Sequence, residues 1–167
     1  MALGYIKAMG YIPLCFNLSG KKVLIVGGGK IAFDKLQKLL DFTSDITVIA
    51  PKISSELASL AEESGVECVI KEYESGDIDG FDLVIVCVDD LSLQRQIHQE
   101  CLSARVLCCV VDMPELCDVI FPSYAKRGEL VVSVSTSGAS PALAKYLRRE
   151  LEKHIPDNVE EFLTKAK

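Results

Sequence analysis

The chain has 167 residues, of which 49% are hydrophobic, and its formal net charge is −6 at pH 7. This length suits one domain with an appendage and allows a sizeable core, and the apolar content excludes a disordered chain. The acidic balance, with no aromatic residues interleaved among the basic ones, excludes a nucleic-acid-binding protein. The apolar runs are strand-length and exclude a membrane span.

The N-terminal segment and the cysteines both favour the cytoplasm. Residues 1–14 are apolar but are interrupted by glycine, lysine and proline, and no convincing signal-peptide cleavage site precedes the first strand, so we expect a cytoplasmic leader. The seven cysteines are scattered, odd in number and without a CxxC pair. This pattern favours free thiols in a reducing compartment over disulfides, and we expect no metal site.

A run of three glycines, residues 27–29, directly follows the first predicted strand. Val23 to Val26 are all apolar, as in a strand buried on both faces of a parallel sheet, and residues 30–40 have apolar positions at helical spacing. Strand, glycine turn and helix together form the unit that binds the pyrophosphate of dinucleotides, because glycines allow a close backbone approach and the helix N-terminus presents N–H groups. The pattern therefore predicts nucleotide binding, with a turn made only for packing as the alternative.

Strands and helices then alternate along the chain. Further strands are predicted at 45–50, 66–71, 81–88 and 106–111, and helices at 54–64 and 91–104. Ser54 or Ser55 is expected to cap the first of these helices, Gly65 to end it, and Asp89 or Asp90 to cap the second. This order predicts an α/β fold with a Rossmann-like, doubly wound parallel sheet, and we expect the domain to span residues 1–113.

The alternation stops after Asp112, and residues 114–167 form a second predicted region. Residues 119–124 and 129–134 predict two antiparallel strands joined by a turn at 126–128, a ribbon that needs a partner to cover its faces. A helix capped by Ser140 follows, with Pro141 at its first position. Its apolar face contains Leu143, Tyr146, Leu147, Leu151 and Ile155. We expect ribbon and helix to pair with another chain.

Basic residues are concentrated in this second region. Between Pro122 and Arg149, five basic residues stand against Glu129 alone, a net charge of +4 that leaves −10 for the rest of the chain. A basic patch beside a hydroxyl-rich helix N-terminus suits carboxylates or phosphates. Each basic residue taken singly is equally compatible with a solvated helix face.

Six short segments occur in the order seen in siroheme-biosynthesis dehydrogenases. They are GGGKIA at 27–32, TVIAP at 47–51, VCVDD at 86–90, VVD at 110–112, FPS at 121–123 and STSGASP at 135–141. With these segments, over residues 12–155, the chain resembles the precorrin-2 dehydrogenase/sirohydrochlorin ferrochelatase family. Members of this family occur alone or as the N-terminal half of bacterial siroheme synthase.

The resemblance implies a homodimeric enzyme that oxidises precorrin-2 to sirohydrochlorin with NAD, in many members followed by insertion of ferrous iron. The key aspartate of the family falls on Asp112, at the carboxyl end of the fifth strand, where open α/β sheets bind ligands. Asp112 could accept a proton as general base, or it could be only a turn residue after a strand. The implied cofactor contacts are Gly27, Gly28, Gly29, Lys30, Ile31, Pro51, Lys52, Val88 and Asp89. The tetrapyrrole is expected at Ser135, Thr136, Ser137, Lys145 and Arg148.

Three features depart from the family pattern. The second strand ends in Ala50-Pro51-Lys52 without an acidic residue for the adenosine ribose. By its charge alone Lys52 could favour the 2′-phosphate of NADP, whereas the resemblance implies NAD. Cys109 stands where the siroheme synthase half has asparagine. The chain ends at Lys167, where family members continue with helices that help to cover the tetrapyrrole, so we expect either a truncated form or a minimal member with an open site.

The alternative to an enzyme is a non-catalytic, NAD(H)-sensing Rossmann module. Such modules usually carry an acidic residue at the end of the second strand, which this chain lacks. They also have no need for the polar loop at 135–141 or for the basic helix that follows it. Binding of NAD without conversion of precorrin-2 would favour the sensor.

Overall fold

The computed structural model describes residues 10–166, which divide into two compact units. The larger unit is Leu14–Val119, and the smaller one contains the chain from Ile120 onward. The leader predicted over residues 1–14 lies mostly outside the described residues. Within the part of the chain that is described, no helix is long and apolar enough to cross a lipid bilayer.

A five-stranded parallel sheet forms the centre of the larger unit. Its strands are β1 (Val23–Val26), β2 (Ile46–Ala50), β3 (Glu67–Ile70), β4 (Leu83–Val86) and β5 (Leu107–Val110). Their order across the sheet is β3-β2-β1-β4-β5, which confirms the predicted doubly wound, Rossmann-like fold. Because the strand order reverses between β1 and β4, the place where open α/β sheets bind ligands lies at the carboxyl ends of these two strands.

The later strands are shorter than the sequence pattern predicted, and β4 shows why. β4 pairs with β1 from Leu83↔Val23 to Val86↔Val26, and the N–H of Cys87 makes a last 2.7 Å hydrogen bond to the carbonyl of Val26. Beyond that point β1 has turned away at Gly27, so β4 loses its partner. Residues 87–89 are therefore a loop at the sheet edge, although their apolar character continues the strand pattern.

Three helices cover the sheet: α1 (Lys30–Leu39), α2 (Ser55–Ser64) and α3 (Leu91–Ala104). The Ser54 side chain caps α2 by accepting from the N–H of Leu57, and Gly65 ends it in the left-handed conformation, as predicted. The Asp90 side chain caps α3. β1 and β4 are buried along their whole length, as expected for the central strands of a sheet covered on both faces.

The smaller unit contains an antiparallel ribbon of β6 (Ser123–Arg127) and β7 (Leu130–Val134), followed by α4 (Pro141–Glu152) and α5 (Val159–Lys165). The prediction of the first ribbon strand at 119–124, with a turn at 126–128, was wrong. Arg127 pairs with Leu130, so the turn is Gly128-Glu129, and Gly128 adopts the positive φ of 57° that such a tight turn needs.

Helix α4 packs against the ribbon within the same chain. Ala125 of the ribbon and Ala144 of the helix are buried in this contact region, so the chain itself covers one ribbon face. Ser140 caps α4 through the N–H of Leu143, and Pro141 is its first residue, as predicted. The helix ends at Glu152, so Ile155 lies beyond it and does not extend the apolar helix face.

Candidate active site

The three glycines after β1 have different surroundings. Gly27 has a φ of 124°, and a Cβ there would lie 2.5 Å from the carbonyl oxygen of Cys87. A Cβ on Gly28 would collide with the carbonyl oxygen of Lys52, whereas a Cβ on Gly29 would meet no atom within 4 Å. The first two glycines are therefore required by the packing of the protein itself. The third leaves open space where a ligand can approach the backbone.

The N-terminus of α1 begins at this open space and has no side-chain cap. Its N-cap residue is Gly29, which has no side chain to accept a hydrogen bond, whereas Ser54, Asp90 and Ser140 cap α2, α3 and α4. The first N–H groups of a helix have no partner within the helix, and they favour anions such as a pyrophosphate. Lys30 and Ile31 are exposed at this end, as the predicted cofactor contacts require.

The loop after β2 lies against the glycine turn. The N–H of Ser54 donates a 2.8 Å hydrogen bond to the carbonyl of Gly28, and Lys52 is close enough to exclude a side chain at that glycine. Pro51 and Lys52 are both exposed. The fold therefore brings the predicted cofactor contacts at 27–31 and at 51–52 together, although about 20 residues separate them in sequence.

A cleft of about 240 Å³ opens beside the start of α1. It is bounded by the segments that follow β4 and β5 and by the first turn of α3. The lining residues are Ile31, Cys87, Val88, Asp89, Leu91, Gln94, Val111, Asp112 and Met113. Four residues predicted from the sequence, namely Ile31, Val88, Asp89 and Asp112, therefore share one cleft.

Asp112 occupies an unusual backbone position at the mouth of this cleft. It lies two residues after the end of β5, is exposed, and has a φ of 65°, which is uncommon for residues other than glycine but tolerated by aspartate and asparagine. The flanking N–H groups are fixed, because Val111 donates to Val86 and Met113 donates to Val110. The fold therefore presents the carboxylate at the carboxyl edge of the sheet on a rigid support.

Cys87 is the cysteine that lines this cleft. Burial raises its pKa to about 12, the charge of Lys35 opposes the shift, and the charge of Asp112 adds to it. The thiol is consequently neutral at physiological pH, and a neutral thiol is a poor nucleophile. Cys109 is buried, and its contact with Cys117, together with burial, raises its pKa as well.

All seven cysteines lie within the described residues, and none of them forms a disulfide there. Among residues 10–166, no group of three or more His, Cys, Asp or Glu side chains is placed to hold a metal ion. Cys101, Cys108 and Cys109 are buried and act as small apolar groups of the core, and Cys87 lies in the cleft wall.

The predicted substrate residues belong to the smaller unit, where several of their polar groups hold the loop before α4. The hydroxyl of Ser135 accepts from the N–H of Ser137 at 3.1 Å, and the hydroxyl of Thr136 accepts from the N–H of Ser140 at 3.0 Å. Lys145 is exposed. Arg148 forms an ion pair with Glu152 one turn later, and its side chain is only 18% exposed.

Sequence reasoning missed Gln94, which lines the cleft although it lies on α3. Gln94 is 5% exposed and shares the buried stripe of the helix with Ile97 and Cys101. A polar residue on the apolar stripe of an amphipathic helix is the signal that identifies it, because buried amides need hydrogen-bond partners.

Comparisons with known proteins agree with this geometry. Residues 14–123 match the family model described as "Putative NAD(P)-binding", and residues 127–154 match "Sirohaem biosynthesis protein central". The siroheme synthase of Pseudomonas entomophila is 43% identical over 148 residues, which are 89% of this chain and 32% of that protein. The siroheme synthase of Azotobacter vinelandii is 42% identical, with the same coverage of 89% and 32%.

Among solved structures, a precorrin-2 dehydrogenase, SirC, superposes with a TM-score of 0.79 at 24% identity and covers 92% of this chain and 76% of its own. The likeness confirms the fold. The chain spans about a third of the length of the curated relatives that it matches. The resemblance inferred from the motifs is thereby confirmed, and the chain belongs to the NAD(P)-binding family of sirohaem biosynthesis that also forms part of the siroheme synthases.

Proposed function

We propose that the chain oxidises precorrin-2 to sirohydrochlorin with NAD as the hydride acceptor, in a cytoplasmic homodimer. The observation that carries the proposal is the position of Asp112, which lines the same cleft as the predicted cofactor contacts Ile31, Val88 and Asp89. The names of the siroheme synthase relatives and of the precorrin-2 dehydrogenase with the same fold support this substrate.

The residues around the glycine turn fit a dinucleotide. The open space at Gly29 and the uncapped start of α1 offer a backbone surface for the pyrophosphate, and the adjacent cleft offers space for the nicotinamide. When bound, NAD supplies the acceptor for the hydride. The exposed Lys52 would lie on the adenosine side, where a cation also tolerates the 2′-phosphate of NADP.

Asp112 supplies the base. Removal of two hydrogens from precorrin-2 transfers one as a hydride and releases the other as a proton, and an exposed carboxylate held on a rigid strand end can accept that proton. Cys87 does not compete for this role, because its thiol keeps its own proton at neutral pH. Asp89, the second carboxylate of the cleft, is assigned to cofactor contact.

The tetrapyrrole carries several carboxylates, and the smaller unit offers groups that bind them. We assign this role to Ser135, Thr136, Ser137, Lys145 and Arg148. Lys145 is exposed for a direct ion pair, whereas Arg148 would have to exchange Glu152 for a substrate carboxylate. Residues 1–113 would then bind the cofactor, and residues 114–167 would serve substrate binding and dimerisation.

A second copy of the chain would cover the outer face of α4. Four apolar side chains of this helix are at least 40% exposed: Leu143, Tyr146, Leu147 and Leu151. A contiguous exposed apolar face is typical of an interface, and a twofold axis would let the same face serve both subunits.

Insertion of ferrous iron is a second candidate activity, favoured by the siroheme synthase relatives. Iron is a substrate in this reaction. Its entry displaces two pyrrole N–H protons, and the carboxylate of Asp112 would accept protons here as it does in the oxidation.

Anaerobic turnover tests the proposed function. Purified protein is mixed with precorrin-2 and either NAD or NADP, and absorbance is followed for sirohydrochlorin; ferrous iron is then added to test chelation. We expect sirohydrochlorin with NAD. Folded protein that binds NAD but leaves precorrin-2 unchanged would contradict the dehydrogenase and favour the NAD(H)-sensing module.

A further inference from the structure

Gln94 is the buried polar side chain of the described core. Its side chain is 5% exposed, and its Nε2 donates a 2.6 Å hydrogen bond to the carbonyl oxygen of Val88. This bond ties the first turn of α3 to the loop after β4. Since both residues also line the cleft, the buried amide lies beside the proposed cofactor site.

The other end of the same amide is unsatisfied. Gln94 Oε1 is buried and has no hydrogen-bond partner among the described residues. The orientation of the amide is not arbitrary, because a carbonyl oxygen such as that of Val88 requires the NH₂ group as its donor. A buried acceptor without a donor is costly, and protein cores rarely leave one. Gln94 Oε1 is therefore a hydrogen-bond acceptor without a donor among the described residues.

The chemistry of the missing donor follows from the cleft. The cleft lining includes the apolar residues Val88, Leu91 and Met113 and the carboxylates of Asp89 and Asp112, whose oxygens are hydrogen-bond acceptors. Cys87 is the one lining side chain besides the Gln94 amide that carries a proton on a polar atom, and a thiol is a weak donor. A ligand that carries an N–H donor would therefore satisfy this acceptor.

We infer that Gln94 Oε1 accepts a hydrogen bond from the carboxamide NH₂ of the nicotinamide, and that Gln94 is thus a further cofactor-positioning residue. The inference rests on the proposed binding of NAD. The carboxamide has one N–H donor group and is joined directly to the ring that exchanges the hydride. A hydrogen bond to it fixes the rotation of that ring, and the bond from Nε2 to Val88 fixes the loop that the ring lies against.

The test compares three ligands that differ at the nicotinamide end: NAD, 3-acetylpyridine adenine dinucleotide, in which a methyl group replaces the carboxamide NH₂, and ADP-ribose, which lacks the ring. Dissociation constants are measured calorimetrically for the wild type and for Gln94→Met. Methionine has a similar shape but lacks both the NH₂ group and the carbonyl oxygen of the glutamine amide. Thermal unfolding shows whether the variant is folded.

We expect the wild type to prefer NAD over the acetylpyridine analogue by about tenfold, which is the effect of one hydrogen bond to a buried acceptor. In Gln94→Met the preference should disappear, while affinity for ADP-ribose stays within about twofold. Gln94→Asn, which withdraws the amide oxygen but stays polar, replaces the Met variant if that variant does not fold.

Two results would overturn the inference. An equal loss for all three ligands in Gln94→Met would show that Gln94 only supports the loop, and an undiminished preference for NAD would show that another group binds the carboxamide. Failure of the wild type to bind both NAD and ADP-ribose would instead overturn the cofactor assignment, so the two failures are distinguishable.

Discussion

The N–H of Ser54 donates a 2.8 Å hydrogen bond to the carbonyl oxygen of Gly28, and this bond fastens the loop after β2 to the glycine turn after β1. The same approach leaves no room for a side chain at Gly28, where a Cβ would lie 2.9 Å from the Cα of Ile53 and would collide with the Lys52 carbonyl. The glycine run therefore serves two purposes: Gly28 for packing within the protein and Gly29 for access to the ligand.

Alanine substitutions at these two glycines should have different effects: Gly28→Ala should lower stability, and Gly29→Ala should weaken cofactor binding. Gly28→Ala forces backbone to move, so we expect a loss of about 1–3 kcal/mol in the free energy of unfolding. Gly29→Ala meets no protein atom and should leave that stability nearly unchanged, but its methyl group occupies the space of the pyrophosphate and should weaken NAD binding about tenfold. Urea denaturation and calorimetric titration measure the two effects. Equal loss of stability in both variants would contradict this division.

Asp112 should be replaced by residues that tolerate its backbone conformation. Asp112→Asn keeps the shape and accepts a φ of 65°, so we expect a folded protein that binds NAD but oxidises precorrin-2 about 10²–10⁴-fold more slowly. Asp112→Gly is the control for backbone strain, since glycine adopts positive φ freely, and it should be as inactive as the Asn variant. Near-normal turnover in either variant would exclude Asp112 as the base.

The adjacent carboxylates Asp89 and Asp90 should differ in their effects. Asp90 accepts hydrogen bonds from the N–H groups of Ser92 and Leu93 at 2.7 and 3.1 Å, so Asp90→Ala should lower the free energy of unfolding by about 1 kcal/mol. Asp89 is exposed and lines the cleft, so Asp89→Ala should change the dissociation constant for NAD and leave the unfolding midpoint close to that of the wild type. Thermal melts and NAD titrations of both variants check this, and a larger stability loss from Asp89→Ala would reverse the assignment.

The exposed apolar face of α4 should determine the oligomeric state. Leu147→Glu places a charge in that face, so we expect a shift from dimer to monomer in analytical ultracentrifugation at micromolar concentration. Leu102→Glu is a matched control, because Leu102 is 58% exposed on α3 of the larger unit. A dimer that survives Leu147→Glu, or one that is lost in both variants, would contradict the assigned interface.

Stability should fall in alkaline solution, in part because of Cys87. In the folded protein burial raises the pKa of this thiol to about 12, whereas in the unfolded chain it titrates near its ordinary value of about 8.5. As pH rises from about 8.5 towards 12, the unfolded chain releases the proton and the folded one keeps it, so the folded state is progressively disfavoured. Urea midpoints between pH 8 and 11 should decline less steeply in Cys87→Ala. Cys15→Ala is the control for loss of an exposed thiol, and the same slope in Cys87→Ala as in wild type would refute the effect.

Much of the fold could be predicted because it depends on local patterns. The buried strand before the glycines, Ser54 and Gly65 at the two ends of α2, and Pro141 after its cap at Ser140 each follow from residue types at neighbouring positions. The motif segments predicted Asp112 and the cofactor contacts for the same reason. Where pairing between distant segments sets the boundary, local pattern failed, as in β4, whose pairing with β1 ends at Val86↔Val26 although the predicted strand continued to Val88.

The sequence by itself determined the order of strands and helices, the dinucleotide turn and the family, because periodicity, capping residues and motif spacing are properties of adjacent residues. Only the tertiary structure decided that Gly28 excludes a side chain, that Asp112 holds a positive φ, and that Gln94 leaves its Oε1 unsatisfied beside the cleft. These three properties depend on atoms of Lys52, of the β5 edge and of Val88. Such atoms come close only when the chain has folded, so these three properties cannot be predicted from a local sequence pattern.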